Sequence, residues 1–191
     1  MAQTVPVAPS PIRLDLRQEA LRLLDGRGAI LETARELTSL MRAAGIDGAV
    51  IGGIAVVLHG HIRTTRDIDI FIDGPAGPFA ELLAKAGFVH DPARREFVRD
   101  GLPVHLVLLD QLGMTPTHRI EIDAVATVSL ADLIEMKLRS GSANLLRAQD
   151  LADVIGLIRR HQLTREFAKH LDKSIRPAFR KLARAVASEI S

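Results

Sequence analysis

The sequence predicts an α/β (α+β) fold, with a small mixed β-sheet flanked by N-terminal helices and a helical C-terminal part. Three observations predict it. Apolar residues recur at helical spacing up to Ala43 and again after Ser129. A strict two-residue alternation runs through Asp67–Asp73. Turn signals such as Gly52-Gly53, Gly74-Pro75 and Asp100-Gly101 punctuate the middle.

Residues 1–11 hold three prolines and little that packs, so they read as a flexible lead. Leu14–Leu24 and Ala29–Ala43 have helical periodicity, and Gly45 closes the second helix. Ala49-Val50-Ile51 reads as a short buried strand, followed by Gly52-Gly53 and a helical turn from Ile54 to Leu58. In Asp67–Asp73, Ile68, Ile70 and Ile72 project to one face and Asp67, Asp69, Phe71 and Asp73 to the other. A helix follows from Phe79 to Ala86, with Gly87 as its stop. Two strands, Glu96–Arg99 and Pro103–Leu109, flank the Asp100-Gly101 turn, and Arg119–Ile122 is a further short strand.

Ser129 opens a helix with a capping box to Asp132 that runs to about Leu138. A second late helix spans about Leu145 to Arg160, and a third starts near Thr164 and is interrupted at Pro177. The domain organisation expected is a lead over 1–11, a core with its N-terminal helices over 12–125, and a helical part over 126–191.

Composition excludes several classes. The chain of 191 residues has no cysteine, which removes disulfides, thiolate metal sites and cysteine nucleophiles, and fits a cytoplasmic location. Its length is enough to bury a core without staples. No run of eighteen apolar residues exists, so no membrane partner is expected, and the N-terminus lacks the regions of a secretion leader. The formal net charge is only +2, and the sequence pI of 9.4 reflects the lack of tyrosine and cysteine rather than strong basicity. Aromatic residues are 3%, few for a protein that stacks bases on rings. The P-loop, H-E-x-x-H and G-x-S-x-G patterns are absent.

The chemistry concentrates in Gly52–Ile70, GGIAVVLHGHIRTTRDIDI. A diglycine between strand and helix allows close backbone approach and presents N–H groups suited to phosphate oxygens. Asp67 and Asp69 lie two apart on one strand face, so their carboxylates stand side by side. Two such anions repel unless a cation lies between them, and Mg²⁺ takes carboxylate oxygens together with phosphates and water. Arg63, Thr64, Thr65 and Arg66 are placed just upstream to contact phosphates of the same ligand. Either part alone has a bland reading, as a plain turn or a solvated strand face. One strand–helix–strand unit placing both at the same end is the stronger signal.

This run of G-G-x-A, R-x-T and D-I-D resembles the opening signature of the nucleotidyltransferase superfamily, whose fold is like that of DNA polymerase β. The resemblance covers about residues 48–160. Lys137, together with Arg147-Ala-Gln-Asp150-Leu-Ala-Asp153, resembles the late Lys and Asp motifs of the abortive-infection (AbiEii-type) toxin branch. It implies a nucleotidyltransferase core and transfer of an NMP from an NTP to a hydroxyl of RNA, a protein or a small molecule. By the same resemblance, Gly52 and Gly53 hold the triphosphate, and a two-metal Mg²⁺ site sits on Asp67 and Asp69. The resemblance to the AbiEii-type branch implies that Lys137 would bind nucleotide phosphates and that Asp150 would help organise the site. The branch further implies a toxin–antitoxin or phage-defence setting with an antitoxin partner.

One position departs from the family. Many members carry a third carboxylate on a neighbouring strand, where this chain has His105. Three readings stand: His105 is the base, Asp110 or Asp123 substitutes, or the site is a degenerate one that binds nucleotide or a partner without turnover. Bland readings also stand beside the late motifs. Lys137 is equally a snorkelling lysine, and Asp150, Asp153 and Arg147 equally a surface ion-pair ladder. His59 and His61 read as the end of the short helix rather than a zinc site. The tract 161–191, with seven Lys+Arg against three Asp+Glu, reads as a solvated helical face, with RNA phosphates as its functional alternative.

Overall fold

The computed structural model describes Arg22 and residues 28–189. The predicted lead and most of the predicted first helix, Leu14–Leu24, lie outside the described residues. Seven strands form one mixed sheet in the order β3-β4-β5-β2-β1-β7-β6. They are β1 (Gly48–Ile51), β2 (Ile68–Ile72), β3 (Val89–Asp91), β4 (Glu96–Arg99), β5 (Leu102–Leu108), β6 (Arg119–Ile122) and β7 (Val125–Val128). Helices α1 (Ala29–Ala43), α2 (Gly52–Leu58) and α3 (Ala76–Lys85) precede β3. A short α4 (Leu109–Leu112) follows β5, and α5 (Leu130–Ala143), α6 (Ala148–His161) and α7 (Arg176–Glu189) complete the chain.

The isoleucine alternation decides the layering. Ile68, Ile70 and Ile72 are buried with Val50 and Val104 against Leu37 and Met41 of α1 and Phe79 and Leu83 of α3. Phe71, on the opposite face of the same strand, is buried with Leu133, Ile134, Val154, Leu157 and Phe179 of the three C-terminal helices. Strand β2 is therefore covered on both faces. Asp69 shares the Phe71 face, so its carboxylate lies on the side occupied by α5 and α6. This one parity brings C-terminal residues to a site begun by β2.

The central strands pair across long connections, and the edge hairpins through tight turns. β1 and β2 run antiparallel with Ile51 opposite Asp69, and β2 and β5 run parallel with Asp69 opposite His105. Asp100 and Gly101, both at positive φ (53° and 79°), make the tight turn that pairs Phe97 with Val104. The β6–β7 hairpin turns through Asp123 and Ala124 at φ of 50° and 63°. With no glycine in that turn, the hairpin gives no ordinary sequence signal, and β7 was not predicted. β3 is likewise additional to the predicted strands.

Two helix boundaries differ from expectation. α5 continues beyond Leu138, through Gly141, to Ala143. A Cβ on Gly141 would lie 2.9 Å from Leu151 Cγ and 3.1 Å from its backbone nitrogen, so that glycine is a point of close helix approach rather than a stop. Pro177 does not interrupt a helix. A 3₁₀ segment, Arg165–His170, is capped by Thr164, and α7 starts afresh at Arg176 with Pro177 in its first turn, where a missing N–H costs nothing. The basic tract behaves as an amphipathic helix: Phe179, Ala183 and Val186 are buried while Arg180, Lys181 and Arg184 are exposed. Among the described residues no helix is long and apolar enough to cross a membrane.

Replacing Phe179 by alanine removes a fully buried ring from the core beneath α5 and α6. The expected loss is about 3–5 kcal/mol of unfolding free energy, read from the midpoint of a urea titration.

Candidate active site

The glycine pair and the acids meet. Gly52 has φ of +66°, and a Cβ there would lie 1.9 Å from Asp69 Oδ2, so glycine is required by conformation and by space together. Gly53 is equally tight against Thr65, with a Cβ 2.5 Å from Thr65 Oγ1. Thr65 Oγ1 in turn donates to Asp67 Oδ1 at 3.1 Å. The diglycine bend is thus seated on the Thr65–Asp69 segment.

Asp67, Asp69 and His105 each offer a ligand atom, and these atoms lie within 4.8 Å of one another. His105 Nδ1 is 3.3 Å from Asp69 Oδ1 and 3.6 Å from Asp67 Oδ2. The other ring nitrogen, Nε2, faces Glu96 Oε2 at 3.2 Å. The imidazole is bracketed by three carboxylates. Hydrogen bonding to Asp69 first, and then to Glu96 with the nearby Asp67 charge, raises its pKa from the ordinary 6.5 to about 9 despite partial burial. Without a bound cation, an imidazolium is therefore the counter-ion of the cluster at neutral pH.

Glu96 is the residue that sequence reasoning missed. The signal was available: counting back from the two-residue Asp100-Gly101 turn pairs Arg99 with Leu102 and Phe97 with Val104, which sets Glu96 beside His105. Of the two acids weighed as substitutes for the third carboxylate, Asp110 lines the same cavity as Asp69 and His105. Asp123 is at the far edge of the sheet, in the β6–β7 turn, where its carbonyl accepts from Arg35 Nε.

That cavity has a volume of about 700 Å³ and is lined by Gly52, Asp69, Arg95, His105, Lys137 and Arg147, among others. Lys137 does not snorkel to solvent. Its Nζ is 2.6 Å from Asp150 Oδ1 and 2.9 Å from Asp153 Oδ2. Asp153 is fully buried and also accepts from Arg63 Nη1 at 2.8 Å and Gln149 Nε2 at 3.0 Å. Asp150 and Asp153 face inward, where Arg63 and Lys137 balance their charge, and only the Arg147–Asp150 contact at 3.8 Å fits a ladder on the helix. Two of the three ammonium protons of Lys137 are committed to these carboxylates, which leaves one for a ligand in the cavity.

Arg63 is held in that buried group and also borders a second cavity of about 500 Å³ with Thr64, Thr65, Arg66, Asp67 and Gln149. The acid pair stands between the two cavities, Asp69 on one and Asp67 on the other. His59 follows the last residue of α2, and its Nε2 meets the Val128 carbonyl at 2.9 Å. Burial holds the His59 pKa below its ordinary value. The ring of His61 lies against Gly156, where a Cβ would come within 2.2 Å. Both histidines have packing roles.

The fold is that of a nucleotidyltransferase-like protein. It is similar to the structure of an antigenic nucleotidyltransferase-like protein from Paracoccidioides brasiliensis, with a TM-score of 0.50, 17% identity and 78% of each chain covered. A tRNA-processing enzyme also aligns, at a TM-score of 0.41 and 16% identity over 83% of this chain and 47% of that one. No protein-family model and no curated protein sequence matches the chain.

The donor set fits a divalent cation. Two carboxylates and an imidazole converge on one point, they repel or compete for a proton without a cation, and the adjacent cavity has room for a phosphorylated ligand.

Two outcomes test this geometry. In the metal-free protein, NMR titration of the His105 ring should give a pKa near 9, and Asp69→Asn should lower it toward 6.5. Because the folded value is raised, the His105 contribution to stability is complete below about pH 6.5 and is lost as pH rises through about 9. Asp153→Ala should cost about 3–5 kcal/mol in a denaturant titration, since it removes the ion-pair partner of Arg63 and one of the two carboxylates on Lys137.

Proposed function

We propose that this chain is a divalent-cation-dependent nucleotidyltransferase that moves an NMP from an NTP to a hydroxyl acceptor. The observation that carries the reading is the contact between Gly52 and Asp69, with Asp67 and His105 on the same patch and a cationic cavity beside it. Gly52 and Gly53 bring main chain up to the acids with no side chain in the way, as binding of a triphosphate next to them requires. Asp67 and Asp69 would hold the metal, Mg²⁺ by resemblance to the family. When bound, the ion neutralises phosphate charge and polarises the attacking hydroxyl.

The residues of the chain do the rest. In the transfer, the acceptor oxygen forms a bond to the α-phosphorus and the bond to pyrophosphate breaks. The hydroxyl proton leaves to a carboxylate oxygen of Asp67 or Asp69. Lys137 faces the cavity with its position fixed by Asp150 and Asp153, which suits it to the departing phosphates. Arg63, Thr64, Thr65 and Arg66 border the cavity on the Asp67 side and would contact the same ligand. The resemblance of the Lys137 and Asp150 motifs to the AbiEii-type toxin branch would add RNA, a protein or a small molecule as acceptor and an antitoxin as partner.

A second reading, nucleotide binding without turnover, is favoured by one observation: His105 stands where the family has a carboxylate. The two separate on incubation with α-labelled NTPs, divalent cation, and total RNA or lysate. Transferase activity predicts labelled product that falls at least about 100-fold in Asp69→Asn. Saturable NTP binding with no labelled product across RNA, protein and small-molecule acceptors supports the binder. Label transfer unaffected by Asp69→Asn sinks the assignment of this site.

Gly52→Ala should be at least as damaging to NTP binding as Asp69→Asn. Its Cβ occupies the place of Asp69 Oδ2 and the left-handed backbone adds about 1–2 kcal/mol of strain. Isothermal titration with a non-hydrolysable NTP analogue measures it.

A further inference from the structure

We propose that the metal site of this chain is a mixed imidazole–carboxylate site, held by Asp67, Asp69 and His105 Nδ1 and oriented by Glu96, and that it prefers a first-row transition ion to Mg²⁺. The proposal deepens the transferase reading and rests on it only in sharing Asp67 and Asp69. A neutral imidazole has one donor and one acceptor nitrogen. Glu96 is 8% exposed and its Oε2 lies 3.2 Å from Nε2, so it takes the Nε2–H. When a cation displaces the Nδ1 proton, the Nδ1 lone pair is directed at the space shared with Asp69, 3.3 Å away, and Asp67, 3.6 Å away. Arg94 Nη1, 3.6 Å from the other oxygen of Glu96, balances the charge of that carboxylate.

Metal-binding imidazoles are ordinarily held in this way, with a carboxylate on the far nitrogen that fixes tautomer and ring orientation. Mg²⁺ is a hard ion that takes oxygen ligands and dehydrates reluctantly, whereas a nitrogen donor favours transition ions. A histidine placed only to fill space has no need of a buried glutamate behind it. Glu96 is accordingly a positioning residue, and His105 the residue that selects the ion.

Direct binding tests this on the full chain with MnCl₂ and MgCl₂, by calorimetry and by Mn²⁺ electron paramagnetic resonance. Mn²⁺ is the most demanding probe, being the weakest binder of the transition series. The expected result is saturable Mn²⁺ binding with nitrogen-14 hyperfine coupling from one imidazole, read on the wild-type chain. His105→Asn keeps an oxygen donor without adding charge. It should abolish the nitrogen coupling and contract the Mn²⁺/Mg²⁺ affinity ratio by about tenfold or more. Glu96→Gln should weaken Mn²⁺ by about 10–100-fold while leaving Mg²⁺ affinity nearly unchanged.

No saturable Mn²⁺ binding, no imidazole coupling in the wild type, or an unchanged ratio in His105→Asn each overturns the proposal. Label transfer by Mg²⁺ alone without imidazole coupling would sink this inference and keep the transferase. Imidazole coupling without transfer to any acceptor would do the opposite.

Discussion

Three carboxylates crowd one imidazole, and the site depends on how that charge is balanced. Asp67, just before β2, and Asp69, on it, stand together through their two-residue spacing and the Thr65 hydrogen bond to Asp67, and Glu96 is delivered from β4 by the register of a tight hairpin. In the metal-free chain the balance falls to a protonated His105, whose raised pKa records the crowding. A divalent cation answers the same need with more charge. The cluster therefore exists in two electrostatic states, proton-balanced and cation-balanced, with His105 as the group that changes between them. Glycine at 52 belongs to the same constraint, because main chain and carboxylate come too close there for any side chain.

Behind the acids, a second and neutral arrangement fixes the cavity. Lys137 from α5 and Arg63 from the loop before β2 meet Asp150 and Asp153 from α6. Burying one such charge unpaired is costly, so the group locks the loop, α5 and α6 in a single relative position. Residues from widely separated parts of the chain thereby line one space. The arginines that line the cavity, Arg94, Arg95 and Arg147 among them, add to its cationic character.

Most of the fold was legible where local chemistry leaves little choice. The Asp67–Asp73 alternation, the Asp100-Gly101 turn and the Ser129 cap each map onto an observed element. What escaped was encoded without a local marker. β7 follows a turn made by Asp123 and Ala124, where alanine rarely adopts positive φ, and β3 is too short to show a period. Pro177 read as a breaker, yet it is a first-turn residue. Its sequence signal is the same in either role, and only the neighbouring element distinguishes them.

Sequence alone determined the parity of β2, and with it the two-residue spacing of Asp67 and Asp69 and the presence of a bend at Gly52-Gly53. Those follow from backbone geometry over a few residues. Tertiary structure decided that Glu96 stands behind His105 and that Lys137 is buried between two aspartates instead of reaching solvent. It also decided that Asp110, not Asp123, shares the cavity. These facts depend on strand order and on which helix covers which face, quantities set by the packing of the whole core.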